Sequence, residues 1–348
     1  MNERELTIKE HKNPEPVANH ENHIAAGSLV FQQVTYSMTT AARTTSLTRH
    51  SIEARIGNTP LIQLRHVTQG LPSGVRVFAK AEHLNPGGSV KDRPALAMIL
   101  EAERSSGLRA GKTILDASSG NTGIAYGMIA AERGYDVTLC LPRNASAERK
   151  HILRAYGVEI IETSPTEGTD GAQILARQLA DEFPYNYVYL DQYNNEANWR
   201  SHYETTAKEI WEQTEGTVTH FITGLGTTGT FTGVTRRLRD YNASIRTIGV
   251  QPDSPLHGIE GLKHMATAHV PGIYDASLAD EQLAIDTESA LLMKQRLAKE
   301  EGLFVGPSSG ANVFAALELA RQLSPGSVVV TILCDGGERY ISQSQRYR

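Results

Sequence analysis

The sequence predicts an α/β protein whose parallel sheets are covered by helices on both faces. Three observations carry this expectation. From residue 51 onward, apolar runs of strand length alternate with longer stretches of helical character. The motifs rich in Gly, Ser and Thr fall in loops directly after strands, where α/β sheets place their ligands. The chain of 348 residues, 40% hydrophobic and 21% charged, suffices for one large or two medium globular domains.

The elements follow in order. Residues 75–80 (Val-Arg-Val-Phe-Ala-Lys) read as a strand and 96–106 as a helix. Strands at 113–116, 136–141, 159–162 and 187–190 alternate with helices at 124–133, 146–156 and 170–183. A long helix is expected over 198–214, then a strand at 220–223, a helix at 231–239 and a strand at 247–250. Helices at 288–301 and 311–323 and a strand at 327–333 complete the pattern, and no internal repeat is visible. Residues 1–50 read differently. Residues 1–22 are polar and charged, whereas 27–50 contain no acidic residue and are rich in Thr, Ser and Ala around a short apolar patch at 29–31. They are expected to form a mobile extension or a loosely docked arm, ahead of an N-terminal α/β domain at 51–196 and a C-terminal one at 197–348.

Composition excludes several functions. The net charge is −5 without blocks of like charge, which argues against nucleic acid or an anionic membrane as partner. Two cysteines, Cys140 and Cys334, supply neither a disulfide framework nor a zinc cluster and favour a reducing, cytoplasmic setting. No apolar run of membrane-spanning length and no secretory signal core is present, and the five glutamates among residues 1–22 argue against a transit peptide. The 12 histidines show no metal-ligand spacing, so no metal is expected.

Five segments carry chemistry. Asn-Pro-Gly-Gly-Ser-Val-Lys-Asp-Arg at 85–93 sets Lys91 in a glycine-rich approach to an apolar helix. Alone it reads most simply as a solvated lysine, but a desolvated amine there could form a Schiff base. Gly-Leu-Gly-Thr-Thr-Gly-Thr at 224–230 joins a strand to a helix, so its backbone N–H groups can converge on an anion. The hydroxyls of Thr227, Thr228 and Thr230 suit a phosphate monoester. The spacing also fits a dinucleotide fingerprint with Asp253 as the ribose acid, which leaves a nicotinamide enzyme as a rival. Ser-Ser-Gly-Asn-Thr-Gly at 118–123 has more small polar residues than an N-cap needs and suits a carboxylate. Gly-Pro-Ser-Ser-Gly at 306–310 could be a cap alone, Cys334 a small filler and Asp335 a turn former. Lys263 and the histidines around it are either a solvated loop or an anion-sensing one.

Taken in chain order from 56 to 340, ending in Glu-Arg-Tyr at 338–340, the motifs resemble the fold-type II pyridoxal-phosphate enzymes and, among them, the cysteine synthase group, closest to its B type. The resemblance implies a tryptophan synthase β-like fold of two α/β domains with the active site between them, and a homodimer. It implies that Lys91 carries pyridoxal 5′-phosphate as an internal aldimine and then removes the substrate α-proton. Asn121 would bond the cofactor's 3′-oxygen; Gly226, Thr227, Thr228, Gly229 and Thr230 would hold its phosphate; and Ser308 would face its pyridine nitrogen. Ser118, Ser119, Thr122 and Gln192 would take the substrate carboxylate, with Ser118 standing where the family commonly has Thr. Lys263, where the B type tends to have Arg, would meet an anionic group. The reaction implied is β-replacement on O-acetylserine or O-phosphoserine by sulfide or thiosulfate, through an α-aminoacrylate, giving cysteine or S-sulfocysteine. Rivals on the same scaffold are cystathionine β-synthase-like, diaminopropionate synthase-like and serine dehydratase activities. From another class, a catalytically idle binding scaffold is disfavoured by the presence of Lys91, Asn121 and Ser308.

Overall fold

The computed structural model describes residues 51–105, 107–118 and 120–344. The extension expected over 1–50 lies outside the described residues. Strands β1 (Leu61–Gln63) and β2 (Arg76–Lys80) precede helix α1 (Asp92–Arg104). Then β3 (Thr113–Ala117), α2 (Asn121–Arg133), β4 (Val137–Pro142), α3 (Ala147–Ala155), β5 (Glu159–Thr163), α4 (Gly168–Glu182) and β6 (Tyr187–Tyr189) alternate. Helix α5 (Glu196–Ser201) runs through a π-helical turn, His202–Thr206, into α6 (Ala207–Gln213). Next come β7 (His220–Gly224), α7 (Gly229–Tyr241), β8 (Arg246–Pro252), β9 (Glu281–Ile285), α8 (Thr287–Glu300), α9 (Pro307–Ala320) and β10 (Val328–Ile332).

Two sheets result. One has four parallel strands in the order β5-β4-β3-β6, and the other has six in the order β1-β2-β10-β7-β8-β9, parallel except for β1. The central strands are apolar but for one buried threonine each, Thr138 and Thr331, because helices cover both faces: every residue of β4 and of β10 is buried. Around the four-stranded sheet, Ile99, Ile114, Ile129 and Leu139 belong to one packed cluster. On the six-stranded sheet, Ile222, Val250, Val313 and Val329 belong to another.

Strands β1 and β2, early in the chain, belong to the large sheet, where β2 pairs β10 in the register Phe78 to Val330. The buried faces of β2, Val77 and Ala79, find their apolar partners there and not in the four-stranded sheet. Strands β1 and β9 were not expected. The first has only three residues, and the second is a largely exposed edge reading Glu-Gln-Leu-Ala-Ile, so neither shows a clear period. The helix expected over 198–214 is present as a continuous helical stretch that changes to π geometry over His202–Thr206.

Four helices start earlier than their apolar periodicity indicates. Helix α1 begins at Asp92, α2 at Asn121, α7 at Gly229 and α9 at Pro307, so the polar motifs form first helical turns. The N–H groups of a first turn have no partner within the helix and are available to a ligand. Close packing fixes one of these helices. Gly233 lets α7 lie against the preceding helix: a Cβ there would run into the Trp199 carbonyl oxygen and come within 2.9 Å of His202 Cβ. Gly233→Ala is therefore expected to destabilise the fold by about 1–3 kcal/mol, which a urea unfolding midpoint would register.

Candidate active site

Lys91 sits at the N-cap of α1, half-buried, on a turn that the far end of the chain holds in place. The Gly87 N–H donates to Asp92 Oδ2 at 2.5 Å, the Val90 N–H donates to the Cys334 carbonyl at 2.8 Å, and Ser89 forms a β-bridge with Asp335. Gly88 has φ 77°, a left-handed conformation beside the Arg339 guanidinium that a side chain could not share. Desolvation pushes the Lys91 amine below the usual lysine range, partly opposed by Cys334 and Asp335. Its neutral form is thus brought within reach.

The loop after β7 is built for an anion. Thr228, at the N-cap of α7, has φ 69° and makes no side-chain cap bond, so the first N–H groups of the helix are left uncapped. Thr228 is 2% exposed, and its Oγ1 has no hydrogen-bond partner among the described residues. Gly226 passes against the Gly261 carbonyl and Gly229 against Asn198 Oδ1, contacts that a Cβ at either position would destroy. Asn198 fixes the loop from below, donating through Nδ2 to the Gln192 carbonyl at 2.7 Å and to Thr227 Oγ1 at 3.2 Å.

The loop after β3 faces it. Thr122 donates to Gln192 Oε1 at 2.7 Å, and Gln192 Nε2 donates to the Ala117 carbonyl at 2.5 Å. Ser118 Oγ accepts from the Gly120 N–H at 3.0 Å. Ser119 lies outside the described residues. Asn121 Nδ2 donates to Asp335 Oδ2 at 2.6 Å while its Oδ1 accepts from Arg339 at 2.6 Å. Ser308, buried in the first turn of α9, lines the same inner space as Cys334, whose thiol burial pushes up to about 11.

These segments enclose two adjoining spaces. The outer cleft, about 280 Å³, is lined by Ser118, Thr122, Gln192 and Lys263 among others; the inner one, about 40 Å³, by Thr228, Thr230 and Ser308. Lys91, Asn121, Gly226 and Thr227 line both. At the mouth, Lys263 Nζ lies 2.5 Å from Asp170 Oδ1, so its charge is matched across the cleft. Arg149 is paired in the same way with Glu260. Asp253 is exposed and lines neither space, which removes the ribose acid from the dinucleotide reading. Sequence reasoning missed Asp335 as the partner of Asn121, and with it Arg339, Arg149 and Glu260. The Glu-Arg-Tyr signal at 338–340 pointed to the segment but not to these pairings.

The donor set fits pyridoxal phosphate. The uncapped helix start with its orphaned Thr228 hydroxyl suits the phosphate dianion, and the desolvated Lys91 amine suits the aldehyde carbon. Fold and site thus define an enzyme with a carbonyl cofactor bound between two parallel sheets. The chain belongs to the pyridoxal-phosphate dependent enzyme family, which it matches over residues 52–335. It is 48% identical over 298 residues to a cysteine synthase of Aquifex aeolicus, covering 84% of this chain and 91% of that one. It is 45% identical over 292 residues to cysteine synthase B of Escherichia coli, covering 84% and 94%. Among solved structures it resembles O-ureido-L-serine synthase, with a TM-score of 0.78, 39% identity and 84% and 93% coverage. Among the described residues no helix is long and apolar enough to cross a membrane, and no group of three or more His, Cys, Asp and Glu is placed to hold a metal ion.

Asp116 supports the substrate-side loops from behind. Its carboxylate accepts from the Tyr126 hydroxyl at 2.7 Å and from the Ala117 and Gln192 N–H groups at 2.7 and 3.3 Å. Burial nevertheless raises it to about 7. The folded protein then keeps a proton that the unfolded chain releases near pH 4. This contribution to stability is complete below about pH 4 and lost as pH rises to about 7. Asp116→Asn removes the titration, so stability measured by urea unfolding should fall less steeply between those values, by up to about one proton in the slope. Equal slopes would mean that the carboxyl is ionised throughout.

Proposed function

We propose that this chain is a cysteine synthase, a transferase that replaces the β-substituent of an O-activated L-serine with sulfur to give L-cysteine or S-sulfocysteine. The single observation that carries the reading is the position of Lys91. Its desolvated amine lies at the junction of an anion-type helix start and a cleft lined by hydroxyl and amide groups. The similarity to the two cysteine synthases supports the choice of reaction. When bound, pyridoxal phosphate supplies the electron sink that lets the α-proton and the β-substituent depart.

In this reading the protein's own groups do the following. Gly226, Thr227, Thr228, Gly229 and Thr230 hold the phosphate, Asn121 bonds the 3′-oxygen, and Ser308 offers the pyridine nitrogen a hydroxyl in place of a carboxylate. Ser118, Ser119, Thr122 and Gln192 take the substrate carboxylate and so turn the α-hydrogen toward Lys91. The Lys91 amine first holds the cofactor and, once released by the substrate, accepts the α-proton at Nζ. The leaving group exits, and the sulfur nucleophile enters, through the mouth beside Lys263. A homodimer and a cytoplasmic setting complete the proposal, and sedimentation of the purified protein tests the former.

Similarity to O-ureido-L-serine synthase favours a second reading on the same residues, in which the incoming nucleophile differs. Cystathionine β-synthase-like, diaminopropionate synthase-like and serine dehydratase activities share that chemistry. Turnover of O-acetylserine with sulfide, thiosulfate, homocysteine, hydroxyurea and ammonia in parallel, together with pyruvate release from serine alone, decides among them, and sulfur transfer is expected to be fastest.

Two further outcomes are expected. Lys91→Ala should lose the covalently held visible chromophore and reduce turnover to background, and wild-type turnover should rise with pH through an ionisation below the ordinary lysine value of about 10.4. Lys263→Ala should slow O-phosphoserine about tenfold more than O-acetylserine if Lys263 meets the anionic leaving group. Equal slowing would confine Lys263 to its pair with Asp170.

A further inference from the structure

Behind the phosphate-type loop lies His202, an imidazole 1% exposed. It opens the π-helical turn His202–Thr206. Such turns are rare and cluster at functional sites. Here the imidazole stands between two hydroxyls: Nδ1 lies 2.9 Å from Thr206 Oγ1 and Nε2 3.3 Å from Thr230 Oγ1. Thr230 lines the inner space at the start of α7, and the missing side chain of Gly233 allows α7 to approach His202.

The ring is held neutral. Burial drives its pKa down to about 3; Arg93 and Lys91 push the same way, against Glu82 and Glu209. A neutral imidazole has one donor and one acceptor nitrogen, and its two neighbours decide which is which. If Thr206 donates to Nδ1, then Nε2–H donates to Thr230 Oγ1, and the Thr230 hydrogen is free to point into the inner space. The opposite tautomer would draw that hydrogen back toward the ring and present only lone pairs to an anion.

We propose that His202, as its Nε2–H tautomer, is a positioning residue that turns the Thr230 hydroxyl into a donor to the cofactor phosphate. The inference rests on the phosphate placement proposed above. It predicts a defect specific to the phosphate. Protein stripped of cofactor is titrated with pyridoxal phosphate and, separately, with pyridoxal. His202→Leu should bind pyridoxal phosphate about tenfold more weakly while its affinity for pyridoxal changes by less than about twofold. His202→Gln, whose amide can donate from nearly the same place, should recover most of the loss. Thr230→Val should show the same phosphate-specific loss, and combining it with His202→Leu should add little. In the intact holoenzyme, ¹⁵N chemical shifts of His202 should report the Nε2–H tautomer, a readout that does not depend on any variant folding.

An equal loss for both ligands, no recovery with Gln, or an Nδ1–H tautomer would overturn the role of His202. Wild-type protein that binds pyridoxal as tightly as pyridoxal phosphate would instead overturn the phosphate placement itself.

Discussion

Asp335 is the point at which the separate segments of the site are joined. Its Oδ2 accepts from Asn121 at 2.6 Å and from the Tyr340 hydroxyl at 2.5 Å, and Arg149 Nη2 lies 3.9 Å away. Its carbonyl accepts from the Gly306 N–H at 3.0 Å, just before α9, and its backbone bridges Ser89 beside Lys91. This single residue, which follows the end of β10, thus ties the loop of the four-stranded sheet, the lysine turn and the Ser308 helix to each other. A neutral turn former could supply the backbone bonds. The buried carboxylate is what holds Asn121 and Tyr340 together, and removing it would cost both of these hydrogen bonds.

A second requirement is that Lys91 be kept from water without loosening the helix that carries it. The charges beneath α1 answer it. Arg93 donates to both oxygens of Glu82, at 2.7 and 2.8 Å, and to both oxygens of Glu209, at 2.6 and 2.8 Å, while Lys80 reaches Glu209 at 2.6 Å. Burial alone would raise the Glu82 carboxyl, but Arg93, the Thr59 hydroxyl and Lys80 together outweigh it and hold Glu82 at about 2. Breaking such a pair on one side costs about 3–5 kcal/mol, because the other charge stays buried. The first turn of α1 is therefore clamped to the large sheet directly beside Lys91, which limits how far the amine can wander.

The fold was legible wherever burial imposes a pattern. β4 and β10 announce themselves because both faces are covered, so their residues are apolar but for one threonine each. β9 does not, because an exposed edge imposes no such pattern. The loops of the site were legible as glycine and hydroxyl motifs, since close backbone approach and anion binding demand those residues. Their helical character was hidden for the same reason: Asn121 and Gly229 look like loop residues although they occupy first turns. The pairings could not be read at all. Asn121 and Asp335 stand 214 residues apart, and Arg149 and Glu260 stand 111 apart, so only the tertiary fold brings them together.

The tertiary fold also shapes the mouth of the cleft. Lys263 and Glu260 stand on the loop between β8 and β9, whereas their partners Asp170 and Arg149 stand on α4 and α3 beside the four-stranded sheet. Each pair therefore spans the opening. An anion that approaches Lys263 must share it with Asp170, whose other oxygen already accepts from the His269 N–H at 2.9 Å. The field at the mouth is that of matched charges, not of a bare cation. Attraction of a charged substrate then depends on how the two sides stand relative to each other, whereas the inner anion site, built from backbone N–H groups and threonine hydroxyls, does not.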